Sequence, residues 1–376
     1  MDAVVGPRMR ECPSFILTYI FSSSRAEIMT LIRTLSLFLA LSLLPLAQVW
    51  AQSHSDVTVS EEEIEERVRS APRGNAANNI AHFSPDGSRI TTMTPGGTFA
   101  IRDLETKDIL QSFPGQSRYT YEATWSPDGS MLASSSVDGT VHLWDVDSGQ
   151  RVAVLDQFSN GSPTMGGGIT EARFSPDGRY LAVLQRYTPG RVAVWDMQEE
   201  AEVMRVERSG KVYGMAWGEE GQQIYTAEED GAMYSWSFPA GKEVDRWKVQ
   251  DDYLFDIDVA GSRIVVGGRS GVLHVLNIDD GRIIQRLRQG SFVNRAAIVP
   301  NSPFVAGVSS DGMLKVWNSD TGALHFQRFA HNANAYSVTV SPDHRTLATV
   351  GQDRYVRLWD VETGALLGTI GGTETR

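Results

Sequence analysis

The chain has 376 residues, 34 Lys+Arg against 46 Asp+Glu for a formal charge of −12, 41% hydrophobic residues and 35 glycines. That composition excludes a disordered or collagen-like chain, and the acidic balance argues against a phosphate-backbone binder, so no nucleic-acid partner is expected. The single cysteine, Cys12, excludes an internal disulfide framework and a cysteine-based zinc site.

The N-terminal part reads as a leader. From Met29, a short segment with Arg33 leads into an apolar run from Leu35 to Ala47, and Val49-Trp50-Ala51 offers a cleavage site before Gln52. Residues 29–51 are therefore expected to be a signal peptide, the alternative being an uncleaved anchor over Thr34–Ala51. Residues 1–28 do not fit that plan and read as an over-extended N-terminus. The expected localisation is export, periplasmic or secreted, with no membrane association after cleavage and a monomeric chain. Residues 52–76 read as a linker. Within it, Ser60 and Glu63 form a capping box that would open a short helix over Glu61–Ser70, and Asp56–Ser60 could form a closing strand.

A repeat of about forty residues dominates the rest. One phrase recurs as Phe83-Ser-Pro-Asp-Gly87, Trp125-Ser-Pro-Asp-Gly129, Phe174-Ser-Pro-Asp-Gly178 and Val340-Ser-Pro-Asp-His344, with degenerate copies beginning at Trp217, Val259 and Val299. A second phrase follows each copy, as Leu143-Trp-Asp145, Val194-Trp-Asp196 and Leu358-Trp-Asp360, with weaker forms ending at Asp103, Ser237, Asn277 and Asn318. These seven endings are spaced by 42, 51, 41, 40, 41 and 42 residues. Ser-Pro-Asp-Gly is a turn sequence, in which Pro presets φ and Gly closes. The Asp-Gly before Thr140 is a second tight turn. Each copy therefore reads as four antiparallel strands, a sheet too small to bury both faces alone, and stacking copies in a ring covers them.

The spacing, the Trp-Asp ending and the seven copies resemble the WD40-repeat family, and with the leader they read as a bacterial exported member. The resemblance implies an all-β, seven-bladed β-propeller over residues 77–372, with four antiparallel strands per blade. Its blades would lie near 77–113, 119–155, 169–206, 211–247, 253–287, 293–329 and 334–370. The family's hydrogen-bonded tetrad is whole only in the last copy, as His331, Thr349, Asp353 and Trp359, with a structural role; the other blades would rely on packing.

No catalytic constellation emerges, so no enzyme activity, cofactor or metal is expected. The seven histidines are scattered without metal-ligand spacing. Gly166-Gly167-Gly168 lacks the Lys-Ser/Thr of a phosphate loop, and Glu228-Glu229-Asp230 and Asp251-Asp252 read as solvated turns. The segment Ala240–Trp247 resembles a motif that quinoprotein propellers repeat, but it occurs once. A quinoprotein-like enzyme or hydrolase with a central-channel site is the alternative, as is a propeller like those of the periplasmic Tol system. Such an enzyme would need His, Asp or Glu converging at the inner strands, where counting gives mostly apolar and aromatic residues.

In the resembled family, partners dock on the face carrying the loops into strand one and those between strands two and three. Counting back four residues from each first turn gives Asn79, Tyr121, Thr170, Tyr213, Phe255, Arg295 and Tyr336. Counting back six gives Ala77, Tyr119, Gly168, Lys211, Tyr253, Val293 and Asn334. The expected partner-binding residues are Tyr119, Tyr121, Lys211, Tyr213, Tyr253, Phe255, Arg295, Asn334 and Tyr336, because Tyr and Arg are enriched at interface anchors. The competing expectation is that these rings pack between blades. The long third period, in Asp156–Gly168 and Gln185–Gly190, predicts a lip on the same face. The expected function is an exported, non-catalytic scaffold that binds a protein or peptide.

Overall fold

A computed structural model describes residues 81–93, 98–116, 120–156, 168–187 and 189–371. The segments 1–28, 29–51 and 52–76, and most of the expected lip, lie outside the described residues. So do Tyr119, Ala77 and Asn79.

The described chain forms seven four-stranded antiparallel sheets, each built from four strands consecutive in sequence. Blade 1 runs from Ala81 to Phe113, blade 2 from Thr120 to Leu155, and blade 3 from Ile169 to Arg208. Blades 4 to 7 follow as Val212–Lys248, Leu254–Arg288, Val293–Phe329 and Ala335–Gly371. No helix occurs among the described residues.

Burial explains the order within a blade. Second strands such as Met131–Ser136 and Tyr180–Gln185 are buried along nearly their whole length. Fourth strands such as Arg151–Leu155 and Lys242–Lys248 are largely exposed. A single sheet this size has two apolar faces and no helix to cover them, so each blade must be covered by its neighbours. Seven hydrophobic cores result, one between each pair of adjacent blades. Between blades 3 and 4, for example, Leu184, Val194 and Met204 meet Met215, Ile224 and Trp236.

The ring closes by packing. Ala81, Phe83 and Ile90 of blade 1 share a core with Ala348, Val350, Leu358 and Ile370 of blade 7. Thr339 Oγ1 donates to the Ala81 carbonyl at 2.9 Å across that junction. The last blade takes all four of its strands from the C-terminal repeat.

The Ser-Pro-Asp-Gly turns repeat one geometry. The Gly87 N–H donates to the Ser84 carbonyl and the Arg89 N–H to Ser84 Oγ, each at 2.9 Å. Gly87 has φ +73°, a left-handed conformation open to glycine at little cost. His344 holds the same position at φ +63° in blade 7.

Candidate functional site

Strand one of each blade lines the central channel, and its outer edge has no ladder partner, since neighbouring blades are separate sheets. Its free N–H groups need acceptors. Acidic side chains of the preceding blade supply them. Asp256 Oδ2 accepts from the Ala296 N–H and Asp258 Oδ2 from the Ile298 N–H, both at 2.8 Å, and Glu171 accepts from the Met215 N–H at 3.4 Å.

These acids meet basic groups across the channel. Arg295 of blade 6 reaches Glu122 of blade 2 at 3.3 Å, Glu171 of blade 3 at 2.9 Å and Asp256 of blade 5 at 3.4 Å. Arg173 sits 3.0 Å from Glu122 and 3.8 Å from Glu171, and His82 Nε2 lies 2.8 Å from Glu122. Burial favours the neutral form of each acid, and whether a cation outweighs it differs from site to site. Burial pushes Asp256 up to about 7 despite Arg295. For Glu122 burial acts the same way, but Arg173, His82 and Arg295 outweigh it and hold the carboxyl below its usual range. Burial also lowers His82.

The channel thus does contain converging His, Asp and Glu, contrary to the counting argument above. Their hydrogen bonds and ion pairs tie neighbouring blades together. Among the described residues, no group of three His, Cys, Asp or Glu could hold a metal ion. The segment Ala240–Trp247 is an ordinary turn followed by the fourth strand of blade 4.

Arg295 is therefore misplaced as a rim residue. In first strands the bulged residue points to the upper face, and pairing identifies it as Tyr121, Thr170, Tyr213, Phe255, Asn294 and Tyr336. The turn after blade 6's first strand begins at Val299, where the Val299 N–H bonds the Phe304 carbonyl, so counting from Val299 as a strand residue shifts the register by one. The same shift replaces Val293, which is fully buried, by Phe292, which is 45% exposed.

The rings join into a chain across blades 4 to 6. Tyr213 stacks on Tyr253 at 5.7 Å between centroids and meets Phe255 edge-on at 5.4 Å, and Phe255 meets Phe292 at 6.4 Å. Arg269 lies over Tyr253 and Phe292, and Arg186 over Tyr213. All these rim rings except Phe292 are half-buried. They pack on one another at the mouth of the channel rather than between blade faces. Lys211 and Asn334 are also half-buried, with Lys211 3.9 Å from Glu229.

Two cavities flank the buried charges. The upper one, about 360 Å³, is lined by Tyr121, Thr170, Arg186, Tyr213, Phe255 and Tyr336 over a floor of Glu122, Glu171 and Arg295. The lower one, about 460 Å³, opens among the ends of the first strands and includes His82, Arg173, Asp256 and Asp258.

His331, Thr349, Asp353 and Trp359 form one hydrogen-bonded chain. With Nδ1 carrying the His331 proton, Trp359 donates to Thr349 at 2.9 Å, Thr349 to His331 at 3.0 Å and His331 to Asp353 at 2.8 Å. Arg357 adds a 2.7 Å bond to Asp353. Burial alone would raise the Asp353 carboxyl, and His331 and Arg357 bring it below its usual value. Other blades do more than pack. Gln116 and Gln289 occupy the histidine's place, Gln289 donating to Ser309 Oγ at 2.8 Å, and Trp144 and Trp236 still donate to Ser134 and Thr226.

With this geometry in view, similarity to known proteins is informative. A family model, "WD domain, G-beta repeat", matches residues 107–145, 281–318 and 324–360. The chain is 22% identical over 181 residues to eukaryotic translation initiation factor 3 subunit I of Kluyveromyces lactis, covering 43% of this chain and 50% of that protein. It is 24% identical over 143 residues to guanine nucleotide-binding protein G(I)/G(S)/G(T) subunit beta-1 of Homarus americanus, covering 36% and 42%. The chain thus spans half or less of the length of these relatives. A chain of the solved mitotic checkpoint complex superposes with TM-score 0.67 at 18% identity, covering 77% of this chain and 93% of that one. Three stretches of the chain thus match a WD-domain repeat model, and the fold is a seven-bladed propeller.

Proposed function

We propose that this propeller is a non-catalytic platform that docks a protein or peptide on its upper face. The observation that carries this reading is the chain of half-exposed rings, Tyr253, Tyr213, Phe255 and Phe292, beside an open cavity. Aromatic rings lose little conformational entropy on contact and supply much apolar area, which suits them to anchoring a partner. The names of the relatives support it too, since two are subunits and the solved neighbour is part of a complex. The enzyme alternative is not favoured, because the inner-strand acids are committed to ion pairs and strand-edge N–H groups.

The test compares Tyr213→Ala and Phe255→Ala with the unmodified chain. Anchors of this kind lose about 2 kcal/mol or more on truncation, roughly thirty-fold in affinity. Half-exposed rings should cost no more than about 1 kcal/mol in folding stability. Loss of one and the same co-purifying partner from both variants, at nearly unchanged melting temperature, is the expected result. Undiminished capture by both variants would refute the docking face.

Export belongs to the same proposal and rests on the leader pattern of residues 29–51. Mass spectrometry of exported material should find Gln52 at the N-terminus, and an intact Met29–Ala51 segment would contradict it.

A further inference from the structure

We propose that the upper cavity binds the side-chain carboxylate of an acidic residue in a partner peptide, with Arg186 as its counter-charge. This deepens the docking reading and rests on it. Arg186 opens the loop between strands two and three of blade 3, directly after the strand Tyr180–Gln185. Two contacts aim it inward: its Nη2 donates to the Tyr213 carbonyl at 3.1 Å, and its guanidinium lies 5.4 Å from the centre of the Tyr213 ring. Its Nε is buried and has no hydrogen-bond partner. Among the described residues, no carboxylate lies within ion-pairing distance of it.

That isolation sets Arg186 apart from the other cations of this region. Arg173 and Arg295 are paired with Glu122, Glu171 and Asp256, Lys211 lies 3.9 Å from Glu229, and Arg269 lies 3.9 Å from Asp252. The chain carries 46 acidic against 34 basic residues, so carboxylates are plentiful, yet among the described residues none pairs with this guanidinium. A guanidinium without a counter-charge at the wall of a cavity of about 360 Å³ can serve as an anion subsite. Tyr121, Tyr213, Phe255 and Tyr336 form aromatic walls, while Thr170 and Asn294 offer polar groups, dimensions and chemistry that suit one or two side chains of a peptide.

The floor decides the charge of the ligand. Glu122 and Glu171 lie beneath, so a dianion such as a phosphate group would meet two carboxylates with one free guanidinium to offset them. A cation is disfavoured as well. Glu171 is held by Arg295 and the Met215 N–H, Glu122 by Arg173 and His82, and the one unpartnered floor oxygen, Glu122 Oε2, is buried out of reach. A singly charged carboxylate matches the single uncompensated cation.

The probe is a positional-scanning library of N-acetylated, C-amidated hexapeptides, tested against the full chain by fluorescence anisotropy. Peptides with Glu or Asp at one position should bind roughly tenfold tighter than their Gln or Asn counterparts, as expected for one charge-assisted pair. Added salt should weaken that preference. Arg186→Gln should erase it and Arg186→Lys should keep part of it, both at unchanged melting temperature. The proposal is overturned by a preference for neutral, Lys or Arg peptides, or by a preference for acidic peptides that survives in Arg186→Gln. Absence of binding by every peptide overturns it as well. Neutral peptides that bind the unmodified chain as tightly as their acidic counterparts, but do not bind Tyr213→Ala, would refute the carboxylate subsite and leave the docking face standing. Normal partner capture by the Tyr213→Ala and Phe255→Ala variants would remove the docking face itself.

Discussion

Replacing Arg295 by methionine tests whether the buried charges at the channel centre hold the ring together. Arg295 is a tie between blades 6, 2, 3 and 5, contacting Glu122, Glu171 and Asp256, and its side chain is only 15% exposed. Methionine fills similar length without charge, so the loss falls on the three carboxylates. Removing one partner of a buried ion pair typically costs about 3–5 kcal/mol, because the other charge stays buried and uncompensated. For a domain of this size that corresponds to a melting temperature lower by roughly 10 °C. The cost should depend on pH with a definite sign. Deprived of the guanidinium, Glu122 and Asp256 become harder to ionise in the folded state, so the folded protein binds protons that the unfolded chain releases. Each pH unit over which one such group stays protonated costs about 1.4 kcal/mol. Urea denaturation at pH 5 and pH 8 should therefore show a larger loss at pH 8. Adding Glu171→Gln, which keeps an acceptor for the Met215 N–H, should recover part of it. A loss under about 1 kcal/mol at pH 8, or an equal loss at both pH values, would refute the reasoning.

Two other outcomes follow from the same energetics. Asp256 and Glu228 are both pushed up to about 7 by burial, against the pull of Arg295 and Arg208, so their ionisation disfavours the fold. Stability should fall as pH rises from about 4 through 7. Glu122 has the opposite sign, contributing stability above its ordinary 4.5 that is lost as pH falls further. Denaturation profiles should peak in mildly acidic solution, and Asp256→Asn should flatten the decline towards pH 8; an unchanged slope in that variant would exclude Asp256 as its source. Asp353→Ala strips His331 and Arg357 of their buried partner and should cost about 3–5 kcal/mol. A loss of only about 0.5 kcal/mol in calorimetry would mean the tetrad bears no structural weight.

The sequence by itself determined the number of strands per repeat and their turns, because those are local matters. Pro85, Asp86 and Gly87 act on the backbone within four residues, and the Gly87 turn forms wherever that phrase occurs. The Trp-Asp endings at 145, 196 and 360 report the same period that the sheets show. Blade 6 slipped by one residue because Val299-Pro-Asn-Ser-Pro303 lacks the Asp-Gly that marks the turn, and in a strand a one-residue slip reverses the facing of every side chain. That slip sent Arg295 to the rim and left Phe292 and Asn294 unnoticed. A trace of the channel was present in the sequence, since Glu122, Glu171 and Asp256 each stand directly after the bulged residue of a first strand, at one repeated place in three blades. Nothing local says that Arg295, 173 residues from Glu122, completes their charge, or that Arg186 points into a cavity without a counter-charge. Those facts arise only when the ring closes and brings first strands from opposite blades around one axis, where burial makes each unmatched charge costly.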